Sequence, residues 1–234
     1  MASIHFIGGE KGGVGKSVMA RVVAQTCIDQ QIPFIGFDSD RSHGSFRRFY
    51  SDFAAPVVMD RFESMDSVVA PLLEDPPRQV IVDLAAQTLA PLHTWFSTSG
   101  LAEVLSASGH RIVLWHVMDD SHDAVLTLGL ALKQFGASVT WVVALNEGRG
   151  NDFSGVRTSA AGVEANRLGA TWITMAKLYP STMHLIDQHS TSFWAAIHRS
   201  DRDPATLGLL DRQRVKVWLS RLTSQVLPIL RPAA

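Results

Sequence analysis

The stretch Gly9-Glu10-Lys11-Gly12-Gly13-Val14-Gly15-Lys16-Ser17 constrains this chain more than any other. It follows an apolar run holding Ile4, Phe6 and Ile7, and precedes Val18-Met19-Ala20-Arg21-Val22-Val23-Ala24, whose pattern predicts a helix. A strand, a glycine-rich loop and a helix in that order are what a phosphate-binding loop requires. Small residues let successive backbone N–H groups close around phosphate oxygens at the positive end of the helix. Gly12, Gly13, Val14, Gly15, Lys16, Ser17 and Val18 are therefore candidate nucleotide-binding residues. Lys16 is placed to reach the β- and γ-phosphates, and Ser17 to bind Mg²⁺ through its hydroxyl. The glycine that usually starts such a loop would fall at position 10, where this chain has glutamate. A second lysine, Lys11, follows it.

Short apolar runs alternate with longer helical patterns along the rest of the chain. Strands are predicted at 3–8, 33–37, 79–83, 111–117, 139–145 and 170–175, each nearly continuous in apolar character, as parallel strands covered on both faces are. Helices are predicted at 16–30, 64–74, 88–106, 121–135, 156–167, 181–198 and 205–230. That alternation predicts an α/β fold, a doubly wound and mainly parallel sheet with helices on both faces and ligands at the carboxyl ends of its strands. Asp75-Pro76-Pro77 and the segment Asp201 to Pro204 break the chain without being long enough to link domains, so residues 1–234 are expected to form one domain.

Three further stretches fall at predicted strand ends. Asp38-Ser39-Asp40 carries two carboxylates where the chain leaves the second strand; one can order the hydration shell of Mg²⁺ and the other can orient an attacking water. Gln79-Val80-Ile81-Val82-Asp83 ends a buried strand in an acid, which suits Asp83 to hold Mg²⁺ through water from beneath the phosphates. Trp141-Val142-Val143-Ala144-Leu145-Asn146 ends in an amide whose donor and acceptor together suit the edge of adenine.

The run Lys11-Gly12-Gly13-Val14-Gly15-Lys16-Ser17 resembles the deviant Walker A motif of the ParA/MinD superfamily, dimerising ATPases that position plasmids, chromosomes, division sites and other cargo. The resemblance implies a P-loop ATPase domain using ATP/ADP and Mg²⁺. Lys11 would be the signature lysine, reaching across a homodimer to the phosphates bound by the other subunit. Lys11, Lys16 and Asp40 would carry catalysis; Ser17, Asp38 and Asp83 would lie at the metal; Asn146 would meet the base. A protein adaptor would stimulate hydrolysis, and the cargo would be plasmid DNA or another cell component, or the protein would support conjugative transfer. Two departures stand out: Arg41-Ser42 replaces the usual Pro-Gln after Asp40, and Leu84-Ala85-Ala86-Gln87 follows Asp83 in place of Pro-Pro or a glycine.

Composition bounds the partners. A net charge of −1 asks for no nucleic acid globally, and one cysteine, Cys27, excludes an intrachain disulfide. No apolar stretch reaches the ~20 residues of a membrane span, and the chain opens on its first strand, so a cytoplasmic location is expected. The final helical stretch sets an apolar face of Leu207, Leu210, Trp218, Leu222 and Val226 beside Arg212, Arg214, Lys216 and Arg221. Those cations are open to three readings: a solvated face, sequence-independent binding to DNA phosphates, or a membrane contact, which Pro228 and Pro232 disfavour by breaking a terminal amphipathic helix. The six tryptophans are expected mostly in the core. Two other classes stay open: a nucleotide-binding module with weak or no hydrolysis, and a P-loop small-molecule ligase of the dethiobiotin synthetase type, against which Lys11 argues.

Overall fold

The apolar runs become strands because each has side chains to bury on both faces. The computed structural model describes residues 2–199 and 203–231. In chain order the elements are β1 (Ser3–Gly8), α1 (Lys16–Asp29), β2 (Phe34–Asp38), α2 (Ser45–Phe49), β3 (Ala54–Pro56), α3 (Phe62–Asp66), β4 (Gln79–Asp83), α4 (Leu89–Thr98) and α5 (Leu101–Ala107). They continue as β5 (Arg111–Met118), α6 (His122–Phe135), β6 (Thr140–Asn146), α7 (Ser154–Thr158), α8 (Ala160–Arg167), β7 (Thr171–Met175), α9 (Pro180–Gln188), α10 (Phe193–His198) and α11 (Leu209–Leu230). The strands form one seven-stranded sheet in the order β3-β2-β4-β1-β5-β6-β7, and every pairing is parallel.

Alternation along each strand divides the core into two layers. Ile4, Phe6, Val80, Val82, Leu114 and Val143 face α3 to α6 and α8. Ile7, Ile81, Val113, Trp115, Val142 and Ala144 face α1, α2 and α9 to α11. β1 lies centrally, between β4 and β5, so the loop after it opens at the middle of the sheet's carboxyl edge. The doubly wound α/β expectation is met.

Differences from the predicted elements have local causes. The helix expected over 88–106 is two, divided at Gly100, whose φ of 56° suits glycine. The helix expected over 181–198 divides after Gln188, where Ser190 has φ 47° and the Ser192 side chain accepts from Ala195 N to cap α10. The stretch 64–74 holds only α3 and a 3-10 turn (Ala70–Leu73). β3 is a three-residue edge strand, and α2 has five residues; neither is long enough to carry a period. α11 passes through Pro228 because Val226, Ile229 and Leu230 are buried against the second layer. The proline costs one hydrogen bond in the last turn, which this packing offsets. Leu210, expected on the buried face, is 67% exposed. Trp95, Trp115, Trp141 and Trp218 are buried as expected, Trp172 is half-buried, and Trp194 is 51% exposed. Of the break at 201–204, residues 201 and 202 lie outside the described residues, as does Pro232.

Two histidines are part of this core. The Trp115 indole donates to His5 Nδ1 (3.2 Å), and His5 Nε2 lies 3.3 Å from Gln79 Oε1. Burial lowers the pKa of both His5 and His116 to about 4. An unfolded histidine titrates near 6.5, so the unfolded chain binds more protons between these values and stability falls as pH drops through them. The pair should cost about 4 kcal/mol between pH 7 and pH 5. Denaturant melts at the two values test this, in an Asp83→Asn background so that Asp83 cannot offset the loss. A pH-independent midpoint would contradict it.

Candidate functional site

The loop between β1 and α1 needs glycine for steric reasons. Gly15 has φ 104°, and a Cβ there would strike the Asn146 amide and come within 3.1 Å of Met175 Cε. Lys16, the first residue of α1, is buried, and its ammonium donates to Lys11 O at 2.8 Å. Burial lowers the Lys16 pKa, while the charges of Asp83, Glu10 and Asp40 raise it in part. Glu10 has a structural use. Its Oε1 accepts from Leu89 N (2.7 Å) at the start of α4, and its carbonyl accepts from Gln87 N (3.2 Å). The carboxylate thus takes up an N–H that the helix leaves unpaired.

Asp83 ends β4 beneath this loop. It is buried, and among the described residues neither carboxylate oxygen has a hydrogen-bond partner. Burial pushes its carboxyl up to about 7, with Asp38 adding to the rise and Lys16 and Arg21 opposing it. The Ser17 hydroxyl also opposes it, from a position short of ordinary hydrogen-bond geometry. Two orphaned, buried carboxylate oxygens beside a serine hydroxyl form an oxygen donor set that suits Mg²⁺.

The carboxylates after β2 are arranged differently. Asp38 is buried, with Oδ1 accepting from Asp40 N and Oδ2 from Arg47 N, both at 3.0 Å, so it organises its own loop and α2. Asp40 stands at the cavity and accepts from Ser42 N (2.9 Å) and His43 N (3.1 Å). Partial burial raises its pKa, but those two backbone N–H groups, together with the His43 side chain, outweigh it and hold the carboxyl below the usual range. Ser39 joins the loops: its hydroxyl donates to Asp83 O (3.0 Å) and accepts from Ala85 N (2.8 Å).

Lys11 does not join Lys16. Its ammonium lies 2.6 Å from Asp119 Oδ2 and 3.1 Å from Ser121 Oγ, and its side chain is 41% exposed. The hydrogen bond to Asp119 raises its pKa. Ser121 also caps α6 by accepting from Ala124 N, so that part of the acidic segment 119–123 is a helix start as well as a lysine clasp.

Asn146 ties its strand to the loop. Its Nδ2 donates to Val14 O (2.7 Å) and its Oδ1 accepts from Gly148 N (2.9 Å). Both ends of the amide are therefore engaged by backbone, which makes Asn146 a wall of the adjoining cleft.

These residues surround two adjoining spaces. A polar chamber of about 510 Å³ is lined by Gly12, Gly13, Lys16, Ser17, Asp40 and Asp83. A smaller cleft of about 220 Å³ is lined by Asn146, Met175, Leu178, Pro180 and Trp218. Gly15, Val18, Arg149 and Asp187 border both. A polar space opening into a more apolar one matches a polyphosphate followed by a base. Sequence reasoning missed Arg21, Arg48 and Asp187, which also line the chamber. Arg21 carried one signal, a charge inside the otherwise apolar run Met19 to Ala24.

No family model matches the chain. It is 28% identical over 157 residues to Protein TraL of Escherichia coli, a match covering 62% of this chain and 64% of that protein's length. A second Escherichia coli Protein TraL is 27% identical over the same length. Among solved structures, the MinD cell division protein of Aquifex aeolicus has a TM-score of 0.56 at 11% identity, covering 96% of this chain and 97% of that one. The MinC:MinD cell division protein complex of the same organism gives 0.57 at 11% identity, covering 96% of each chain. The chain has the P-loop fold of MinD, the fold expected from its resemblance to the ParA/MinD superfamily.

Proposed function

We propose that this protein is a nucleotide-switched ATPase that dimerises around ATP and positions or segregates plasmid DNA or another cell component. The observation that carries this reading is the placement of the two loop lysines. Lys16 lines the chamber of its own subunit, while Lys11 points out of it, half-exposed and clasped by Asp119 and Ser121. A cation held outside its own phosphate site is available to a second copy's.

Ser17 and Asp83 would hold Mg²⁺, which would neutralise charge on the β- and γ-phosphates. Lys16 would hold the same phosphates from the loop side, and Lys11 of the second subunit would add charge as the phosphoryl group transfers. Asp40 stays ionised and is a weak base, so its part is to orient water rather than to take the proton early. Asp38, tied up by two backbone N–H groups, supports Asp40 from behind. Adenine would lie in the smaller cleft against Asn146 and Met175. Arg214, Lys216 and Arg221 stand on the exposed side of α11, where they suit sequence-independent contact with DNA phosphates. The reading includes a protein adaptor that stimulates hydrolysis, and a cytoplasmic location.

Molecular mass in solution tests the proposal, for wild type, Lys11→Ala and Asp40→Ala, each without nucleotide, with ADP and with ATP. ATP should dimerise wild type transiently and Asp40→Ala stably, and leave Lys11→Ala monomeric. DNA titrated over salt should bind the dimer alone. A mass that nucleotide never changes would overturn the dimer mechanism and leave the small-molecule ligase.

A further inference from the structure

Arg21 is a buried cation with too few partners for its place. It is 3% exposed, and its Nη1 donates to Asp187 Oδ1 at 3.3 Å. Among the described residues its Nε has no partner. A guanidinium carries five N–H donors, and a buried charge is costly unless most are engaged. The two faces of this one are covered: its Cζ lies 4.0 Å from the centroid of the Phe49 ring and 5.3 Å from that of Phe193. Ring faces hold the cation while using none of its in-plane donors.

The direction in which those donors are useful follows from α1. Arg21 is four residues after Ser17, so the two share a helix face about 6 Å apart along the axis. Arg21 lines the chamber with Lys16, Ser17 and Asp83. Its hydrogen-bonded acidic partner, Asp187, has a side chain 47% exposed and needs no buried cation for its own solvation. Asp83 attracts the guanidinium without a hydrogen bond.

We propose that Arg21 is a specificity-determining residue that binds a phosphate oxyanion in the chamber it lines with Lys16, Ser17 and Asp83, one helical turn beyond Ser17. The oxyanion is the terminal phosphate of a bound triphosphate, or free phosphate beside a bound diphosphate. This rests on the nucleotide-site reading above. Arg21 makes the chamber prefer triphosphate to diphosphate, and Asp187 holds the guanidinium while the phosphate is absent.

Calorimetric affinities for ADP and for a non-hydrolysable ATP analogue test this in wild type, Arg21→Met, Arg21→Lys and Asp187→Asn, with inorganic phosphate titrated into each ADP complex. Arg21→Met should lower the triphosphate-to-diphosphate affinity ratio about tenfold, as the loss of one charge-assisted hydrogen bond does. Arg21→Lys should recover part of the ratio, and Asp187→Asn should keep or raise it. If free phosphate is the ligand, the wild-type ADP complex takes up phosphate and the Arg21→Met complex does not. Equal weakening of both nucleotides in Arg21→Met, matched by Asp187→Asn, would show a purely structural ion pair and overturn the assignment. An unchanged ratio with no Arg21-dependent phosphate binding would overturn it too. Melting curves identify a variant that fails to fold, and Arg21→Lys then carries the comparison. Wild type that binds neither nucleotide would overturn the nucleotide-site reading itself.

Discussion

Asp83→Asn should make the protein more stable and nearly eliminate the Mg²⁺-dependent turnover proposed for it. The carboxyl is buried without hydrogen-bond partners and titrates at about 7, against about 4 when unfolded. The folded state therefore holds a proton that the unfolded state has lost, and stability declines as pH rises from the unfolded value through about 7, then levels off. At pH 8 the ionised form costs about 4 kcal/mol. Asparagine has the same shape and no charge, but its amide is also short of partners, so it should recover roughly 2–3 kcal/mol. In a chain of this size that is about 5–10 °C in melting temperature. The gain should shrink towards pH 5.5, where both side chains are neutral. Turnover should fall at least ~10³-fold, because the amide replaces a negative metal ligand with a neutral one. Melting curves at pH 5.5 and 8 beside a phosphate-release assay decide the matter. Identical melting of the two proteins at pH 8 would show that Asp83 is not the strained group described here.

Lys16→Met is expected to weaken both ADP and ATP about 10²- to 10³-fold, the loss of two charge-assisted hydrogen bonds to phosphate. The methionine keeps the aliphatic stem in a site where burial already disfavours the charge. The only hydrogen bond lost within the described residues is the one to Lys11 O. Folding should survive for that reason. The effect on Asp83 is indirect. Lys16 is one of the charges that lower its pKa, so the variant should hold the Asp83 proton more firmly and shift Mg²⁺ binding to higher pH. Calorimetry with ADP over pH 6 to 9, with and without Mg²⁺, measures both effects. Affinity within threefold of wild type would remove Lys16 from the phosphate site. The pattern differs from that of Arg21→Met, which should act on the terminal phosphate alone.

Much of this site was legible because its parts are local in sequence. A loop that must bend at glycine, an acid ending an apolar run and an asparagine ending another each announce themselves within about ten residues. What escaped depends on distance. Lys11 meets Asp119 across 108 positions, and Arg21 meets Asp187 across 166. No period or composition marks such pairs. β3 was invisible because three residues cannot show alternation, and the break at Gly100 because one glycine within an apolar pattern also suits an uninterrupted helix. Asn146 was legible as a strand-end amide, but its engagement with Val14 and Gly148 follows only from how closely β6 approaches the loop.

The Ser39 hydroxyl, held between Asp83 O and Ala85 N, has a mechanical consequence. It rivets the loop that carries Asp40 to the segment that follows Asp83. A phosphate that draws in either one must drag the other along or shear two hydrogen bonds at once. The chamber's two jaws are therefore geared together, and the loss of a terminal phosphate would be felt on both sides in a single stroke.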